Sequence, residues 1–509
     1  MRRFFGGLGI FRTHLIVTRL SSTTSLLPPI PTTSSLTSHA IASLEAVSRV
    51  AETRRRAGPG ALQASGENDD VTMLYTVAAR ELLGPNGLSQ ISRWQLLADA
   101  IVIFGARARS LERMKLKSNH GDDIITANNV ATAALNRATF LARTEKKLLS
   151  RDIFGLGRIV AASTKVREPC SNLLRVALPR LLSILDANFD TTKDNRIATL
   201  ATISDLAAGA VLTLSPLAGG GGPLWGLNRH ICASIDDIVK RSHSEEWTTN
   251  SHTRAAVRVR IGPSLITGAW VLTMSGALDP QGLKDDAKAV MSSVLLMNDL
   301  YKDEDSHVRC KLLSNNAAIG RLNGVLAGIH VASRSGRVPF LPKLSPALSE
   351  RLKKWHEWAK LYATPSHAAI MMANAVKGPA RRAGLMTQTL EFDGGHGIFV
   401  DLALTGFSLN NQYRQGFKGF AIEFDGKSHF IQANEEESGG NGGGGGGSIS
   451  CRTLYKRWLL NDLGWAVIPI AWDEWANVAR RGVDATERFM ESKINDAILK
   501  EGERGKDIE

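Results

Sequence analysis

From Ser43 to about Tyr362 one pattern recurs: apolar residues three and four positions apart, broken by short runs of Pro, Gly and polar residues. A stretch of that length with a single helical period commits most of the chain to α-helix, because strands require alternation with a period of two. Val71–Leu83, Gln90–Ala106, Ile124–Ala142, Leu173–Leu185 and Ile197–Leu214 each carry the pattern, with a kink or split expected at Pro179. It returns in Ile231–Val239, Pro263–Leu278, Ala287–Met297, Ile319–Val331 and Leu348–Tyr362. Gly84-Pro85-Asn86-Gly87 and Gly219 to Gly222 are typical of the breaks. Ala131, Ala133, Ala134 and Ala138 are small enough for close helix contact. Helix after helix with short breaks implies either an irregular α-solenoid of antiparallel pairs or one irregular helical domain. Repeat starts fall near Asp152, Asn195 and Thr253, at uneven spacing.

The period changes near residue 397. Gly397 to Leu404 and Phe420 to Phe424 read as strands; in the second, Ala421 and Glu423 point one way while Ile422 and Phe424 point the other. Asp425 continues the polar face and Gly426 turns the chain. Asp401, on the earlier strand, sits beside Glu423 and Asp425 if the two strands pair. Leu454 to Leu463 has helical spacing, with Leu459, Leu460 and Leu463 as its apolar stripe and Lys456 and Arg457 off it. Trp465 to Ile470 is another buried strand, which makes Trp465 a core residue. Strand, strand, helix, strand describes a small α/β module. His429 follows the carboxylates, and hydrolysis of a phosphodiester would need such carboxylates to hold Mg²⁺ or Mn²⁺, with a histidine to move a proton or steady a phosphate.

Roughly residues 390–480 resemble the RAP domain, an RNA-binding family whose core runs from an Asp-bearing strand through I-E-x-D-G-x-S-H-F and T-x-x-K-R to G-W-x-V-x-x-I and E-W. The matching residues here are Asp401, Ile422 to Phe430, Thr453 to Arg457, Gly464 to Ile470 and Glu474-Trp475. Lys427 departs from the proline usual in the family. A long insert, flexible by composition, occupies 435–450 with six consecutive glycines at 442–447. The family is similar to the restriction-endonuclease-like fold. By that analogy Asp401, Glu423 and Asp425 take metal-binding positions for Mg²⁺ or Mn²⁺, with His429 as an auxiliary catalytic residue. As an RNA-binding module, its contacts would come from Lys427, Lys456, Arg457, Trp472 and Trp475. The family commonly follows degenerate helical repeats and acts in maturation, stability or translation of organellar RNA, in places with a ribosomal assembly.

The organisation expected is therefore a leader and linker over 1–44, a basic helical region over 45–385, a RAP domain over 386–480, and a charged helix and tail over 481–509. Residues 1–44 contain no Asp or Glu but include Arg2, Arg3, Arg12 and Arg19 among many Ser and Thr. Such a composition implies a transit peptide, for the mitochondrial matrix rather than a plastid; the alternative is a disordered basic terminus. No stretch reaches the roughly 20 apolar residues of a membrane span. Four well-separated cysteines, with no C-x-x-C, argue against a disulfide framework or structural zinc site, and leave His230 and Cys232 as packing residues.

Residues 385–509 carry 13 Lys and Arg against 19 Asp and Glu, a net of −6; with +13 on the whole chain, residues 1–384 carry +19. Clusters at Arg54-Arg55-Arg56, Arg107 to Lys117, Arg254 to Arg260, Lys353-Lys354 and Arg381-Arg382 supply that charge. One cluster alone is a solvated helix face; several along one solenoid make a groove for a polyanion such as organellar mRNA or rRNA. No P-loop, nucleophile-elbow, H-E-x-x-H or kinase motif is present. Three readings follow: an RNA-binding factor in the organelle, a metal-dependent endoribonuclease using Asp401, Glu423 and Asp425, or a structural subunit docked among mitochondrial ribosome proteins.

Overall fold

A computed structural model describes residues 36–57, 69–114, 121–144, 150–163, 171–188, 196–213, 223–243, 251–279, 282–301, 316–362, 367–387, 391–406, 416–426, 430–431 and 448–506. The chain forms two compact units, Met1–Ile91 and Ser92–Glu509. In the first, α1 (Leu36–Ala57) packs against α2 (Asp69–Leu83). Ala40, Leu44 and Val47 are buried on α1, and Val71, Ala78 and Leu82 on α2. Helix α1 begins inside the expected leader and linker, because the three-and-four spacing of its buried residues already runs through Ala40.

The second unit opens with ten helices in sequence: α3 (Trp94–Met114), α4 (Gly121–Thr144), α5 (Ser150–Ser163), α6 (Ser171–Asn188), α7 (Arg196–Thr213), α8 (Pro223–Ser242), α9 (Ser251–Met274), α10 (Lys284–Leu300), α11 (Asn316–Arg334) and α12 (Pro346–Tyr362). Local chemistry marks several starts. Pro223 opens α8, where a missing N–H costs nothing, and Asp122-Asp123 and Asp285-Asp286 lie in the first turns of α4 and α10, favourably placed at the positive end of the helix dipole. The helices stack in two layers. α3, α5, α7, α9 and α11 contact one another in turn, as do α4, α6, α8 and α10 on the other side. This is a run of helical repeats, and the repeat starts expected near Asp152, Asn195 and Thr253 fall within two residues of the starts of α5, α7 and α9. The layer α5–α7 closes to the point where a Cβ on Gly209 would lie 2.0 Å from Val160 Cγ1. Helix α6 runs through Pro179 without dividing, so the expected split is absent. No helix among the described residues is long and apolar enough to cross a membrane.

The remainder is an α/β module. Helix α13 (His367–Arg382) leads into β1 (Met386–Thr387), the hairpin β2 (Phe392–Asp393) and β3 (Phe399–Val400), then β4 (Leu402–Thr405) and β5 (Gly419–Asp425). A two-stranded ribbon, β6 (Phe430–Ile431) with β7 (Ser448–Ile449), precedes α14 (Cys451–Asp462), β8 (Trp465–Ala471), α15 (Trp472–Ala479) and α16 (Val483–Lys506). The main sheet has the order β1-β4-β5-β8; β1, β4 and β5 are antiparallel neighbours, and β8 joins β5 in parallel after the crossover through α14. Pro469, which cannot donate to a ladder, is tolerated because β8 is an edge strand.

One face of the sheet, through Leu402, Leu404, Phe420, Ile422, Ile468 and Ile470, builds a core with Met372 and Val376 of α13, Trp475 of α15 and Met490 and Ile494 of α16. Both flanking helices thus belong to the module's core: α13 lies within the segment expected to be helical platform, and α16 within the expected tail. The apolar spacing of Phe489, Met490, Ile494 and Ile498 is what buries α16.

Candidate functional site

The opposite face of β5 is charged. Alternation along Gly419–Asp425 places Ala421, Glu423 and Asp425 on one side, under α14. That helix starts where Ser450 Oγ accepts the Thr453 N–H at 3.4 Å, which fixes the positions of Lys456 and Arg457 two turns on. Lys456 Nζ pairs with Glu423 Oε2, and Arg457 Nη2 with Asp425 Oδ2. Both carboxylates are buried, at 4% and 2% exposure. Asp401, at the break between β3 and β4, does come alongside as the pairing of the two strands requires, and its Oδ2 accepts the Phe424 N–H at 2.7 Å. Burial pushes the Glu423 carboxyl up to about 7; Asp401 and Asp425 add to the rise, and Lys456 opposes it. Glu391 is raised too, by burial and then by Asp401.

Residues 422–493 match the RAP domain family. The match runs from the middle of β5 through α14, β8 and α15 into α16, so it contains both buried ion pairs and much of the apolar core. No curated protein and no solved structure matches the chain.

The carboxylates of this RAP domain do not fit a metal ion as they stand. Asp401 faces a backbone amide, Glu423 an ammonium and Asp425 a guanidinium, and among the described residues no three Asp, Glu, His or Cys side chains converge on one point. A phosphodiester would also have to reach oxygens that lie beneath α14. The other expected contact residues divide. His429 and Lys427 lie outside the described residues, as do the side chains of Arg54, Arg55 and Arg56, which end α1. Trp475 is buried in the RAP core with Phe489, ring centroids 6.5 Å apart, where no base can stack on it, whereas Trp472 is half-buried. Arg382 makes two hydrogen bonds to Glu491, at 2.8 and 3.1 Å, tying α13 to α16, while Arg381 is exposed. Trp465 is a core residue, as expected, and donates its Nε1–H to Gly394 O at 2.8 Å. His230 and Cys232 are held by Asp186 and Asp286, at 3.0 and 3.2 Å.

Among the described residues, α14 packs against α7, α9 and α11, and side-chain contacts at α11 and α12 fasten the RAP domain to the repeats. Tyr455 of α14 donates to Gly324 O of α11 at 2.9 Å and fills the space left by the missing side chain of Gly328. Beside it, the β2–β3 turn meets α11 and α12. Asn323 Nδ2 donates to His396 O at 2.8 Å, and His356 Nε2 lies 3.2 Å from Asp393 Oδ2. The turn is unusual, since Gly395, His396 and Gly397 all have positive φ, 125°, 52° and 70°. A left-handed histidine is uncommon and costs of order 1 kcal/mol or more. It places the His396 ring 4.1 Å from that of His330, centroid to centroid. Sequence reasoning missed His330, His396, Arg334 and Lys418 because they come from separate segments; the run Gly394-Gly395-His396-Gly397 was the one local signal.

Proposed function

We propose that this chain is an RNA-binding protein of the mitochondrial matrix that acts in the processing, stability or translation of organellar RNA, in association with the mitochondrial ribosome. The RAP domain carries this reading, since that domain implies RNA binding. The charge distribution supports it: residues 1–384 hold +19 and residues 385–509 hold −6, which makes the helical repeats the electrostatic platform and the RAP domain the module seated on them. The acid-free, arginine-bearing composition of residues 1–44 supports import. Three antiparallel strands followed by a helix and a parallel strand support reading the RAP domain as restriction-endonuclease-like in architecture, with its carboxylates serving as structural ion pairs.

The test is binding of the purified full chain to labelled single-stranded organellar RNA across a salt series. The expected result is affinity that falls linearly in log–log form, with a slope of about −0.7 for each phosphate contacted. Co-sedimentation with the mitochondrial ribosome that survives high salt would instead favour a structural subunit, because loose phosphate contacts do not survive it.

A further inference from the structure

We propose that the junction between the last repeats and the RAP domain holds a phosphodiester of single-stranded RNA, gripped by Arg334 and Lys418 beside the adjoining rings of His330 and His396. The proposal rests on the RNA-binding reading and names the surface that performs it.

Three kinds of observation meet here. The first is charge. Arg334, at the end of α11, and Lys418, just before β5, are exposed, and among the described residues neither forms an ion pair. Lys418 Nζ lies 3.7 Å from the point where a Cβ on Gly395 would stand, so the ammonium is set against the β2–β3 turn. The acidic group of the cluster, Asp393, is already engaged: its Oδ1 accepts the Gly395 N–H at 2.9 Å and its Oδ2 faces His356. The second is the sign of the local field. Burial and then the neighbouring Arg334 hold the Lys418 ammonium below its usual range, with Asp393 opposing. His396 is likewise lowered, by burial first and then by His330, Lys418 and His356, again against Asp393. For Lys418 and His396 neighbouring cations add to what burial does, and an anion entering the cluster would oppose both. The third is the backbone. The left-handed His396 between two left-handed glycines aims an aromatic ring at His330 at the edge of this cluster, a conformation whose strain needs a compensating gain. Cations for the phosphate next to rings for a base are what single-stranded RNA requires. The site also lies where repeats and RAP domain meet, so a strand crossing it touches both.

The experiment compares the full chain with two variants of equal charge loss, Arg334→Gln with Lys418→Gln, and Arg480→Gln with Arg481→Gln. The second pair is also exposed and follows α15, which packs against β8 and α16. Binding of a fluorescein-labelled, uridine-rich single-stranded RNA is followed by anisotropy between low and physiological salt. The junction variant is expected to bind roughly tenfold or more weakly and to lose about 0.7 from its log–log salt slope, the share of the one phosphate that the two side chains grip. The Arg480/Arg481 variant is expected to stay close to wild type. Equal losses in the two variants, or an unchanged slope in the first, would overturn the site while leaving RNA binding in place. Failure of the wild-type chain to bind would overturn both.

Discussion

Arg457→Ala should destabilise the RAP domain by about 3–5 kcal/mol, the range for removing one partner of a buried ion pair. The size of the effect comes from what is left behind. Asp425 is 2% exposed and would be left beneath α14 without the guanidinium that now meets it. Lys456→Ala should cost less, because the lysine side chain is one-third exposed and water can replace part of what is removed. Removing both members, Asp425→Leu with Arg457→Met, should recover most of the loss and can exceed wild type, since the desolvation of two charges disappears with their attraction. Chemical denaturation of the four chains separates these outcomes; equal, small losses for both single variants would show that α14 does not cover these carboxylates. The neighbouring Glu423 adds a pH signature. Its folded carboxyl holds the proton up to about pH 7, against an ordinary value of 4.5. The folded state therefore binds more protons than the unfolded state between those limits, and this residue's contribution is complete below about 4.5 and lost as pH rises through about 7. Glu423→Gln does not titrate, so the difference in stability between it and wild type should change across that window and be flat outside it.

Tyr455→Ala is the second large effect expected, about 3–5 kcal/mol by analogy with other buried aromatic truncations. Tyr455 is 8% exposed, and its ring and hydroxyl fill a socket on α11. The socket exists because residue 328 is glycine: a Cβ there would lie 2.2 Å from the Tyr455 Oη and 2.9 Å from Leu278 Cδ1. Gly328→Ala should therefore be destabilising alone and less so in a Tyr455→Phe background, where the closest clashing atom is gone. That coupling, read from a double-mutant cycle, distinguishes a steric lock from the ordinary helix propensity of alanine, which would act in the opposite direction. Limited proteolysis of Tyr455→Ala should release the RAP domain from the repeats before either part is digested.

The contrast between what the sequence disclosed and what it hid follows from distance along the chain. The repeat starts near Asp152, Asn195 and Thr253 were legible because helical periodicity is a local property, as was the strand–strand–helix–strand order and the burial of Trp465. Lys456 and Arg457, expected as RNA contacts from the family resemblance, lie off the Leu459–Leu460–Leu463 stripe and yet pair inside the module. An off-stripe residue faces solvent only if its helix is covered on one side, and α14 is covered both by β8 and by the repeat helices α7, α9 and α11. The carboxylates they meet, Glu423 and Asp425, are far away in the chain, and only the parallel crossover brings them into line. The charged helix expected over 481–509 is α16, but its packing was not legible, because the elements that bury Met490 and Ile494 are distant in the chain. Distance also hid the junction cluster, assembled from α11, α12, a hairpin turn and the residue before β5.

On the function proposed here, the chain holds RNA by charge and its buried carboxylates leave the RNA uncut. The most direct measurement incubates the full chain with end-labelled single-stranded organellar RNA in Mg²⁺ or Mn²⁺, wild type beside Glu423→Ala with Asp425→Ala. The account expects the wild-type chain to retain the RNA and leave it at full length in both metals. Metal-dependent cleavage by the wild type, lost in the double variant while binding persists, would contradict it.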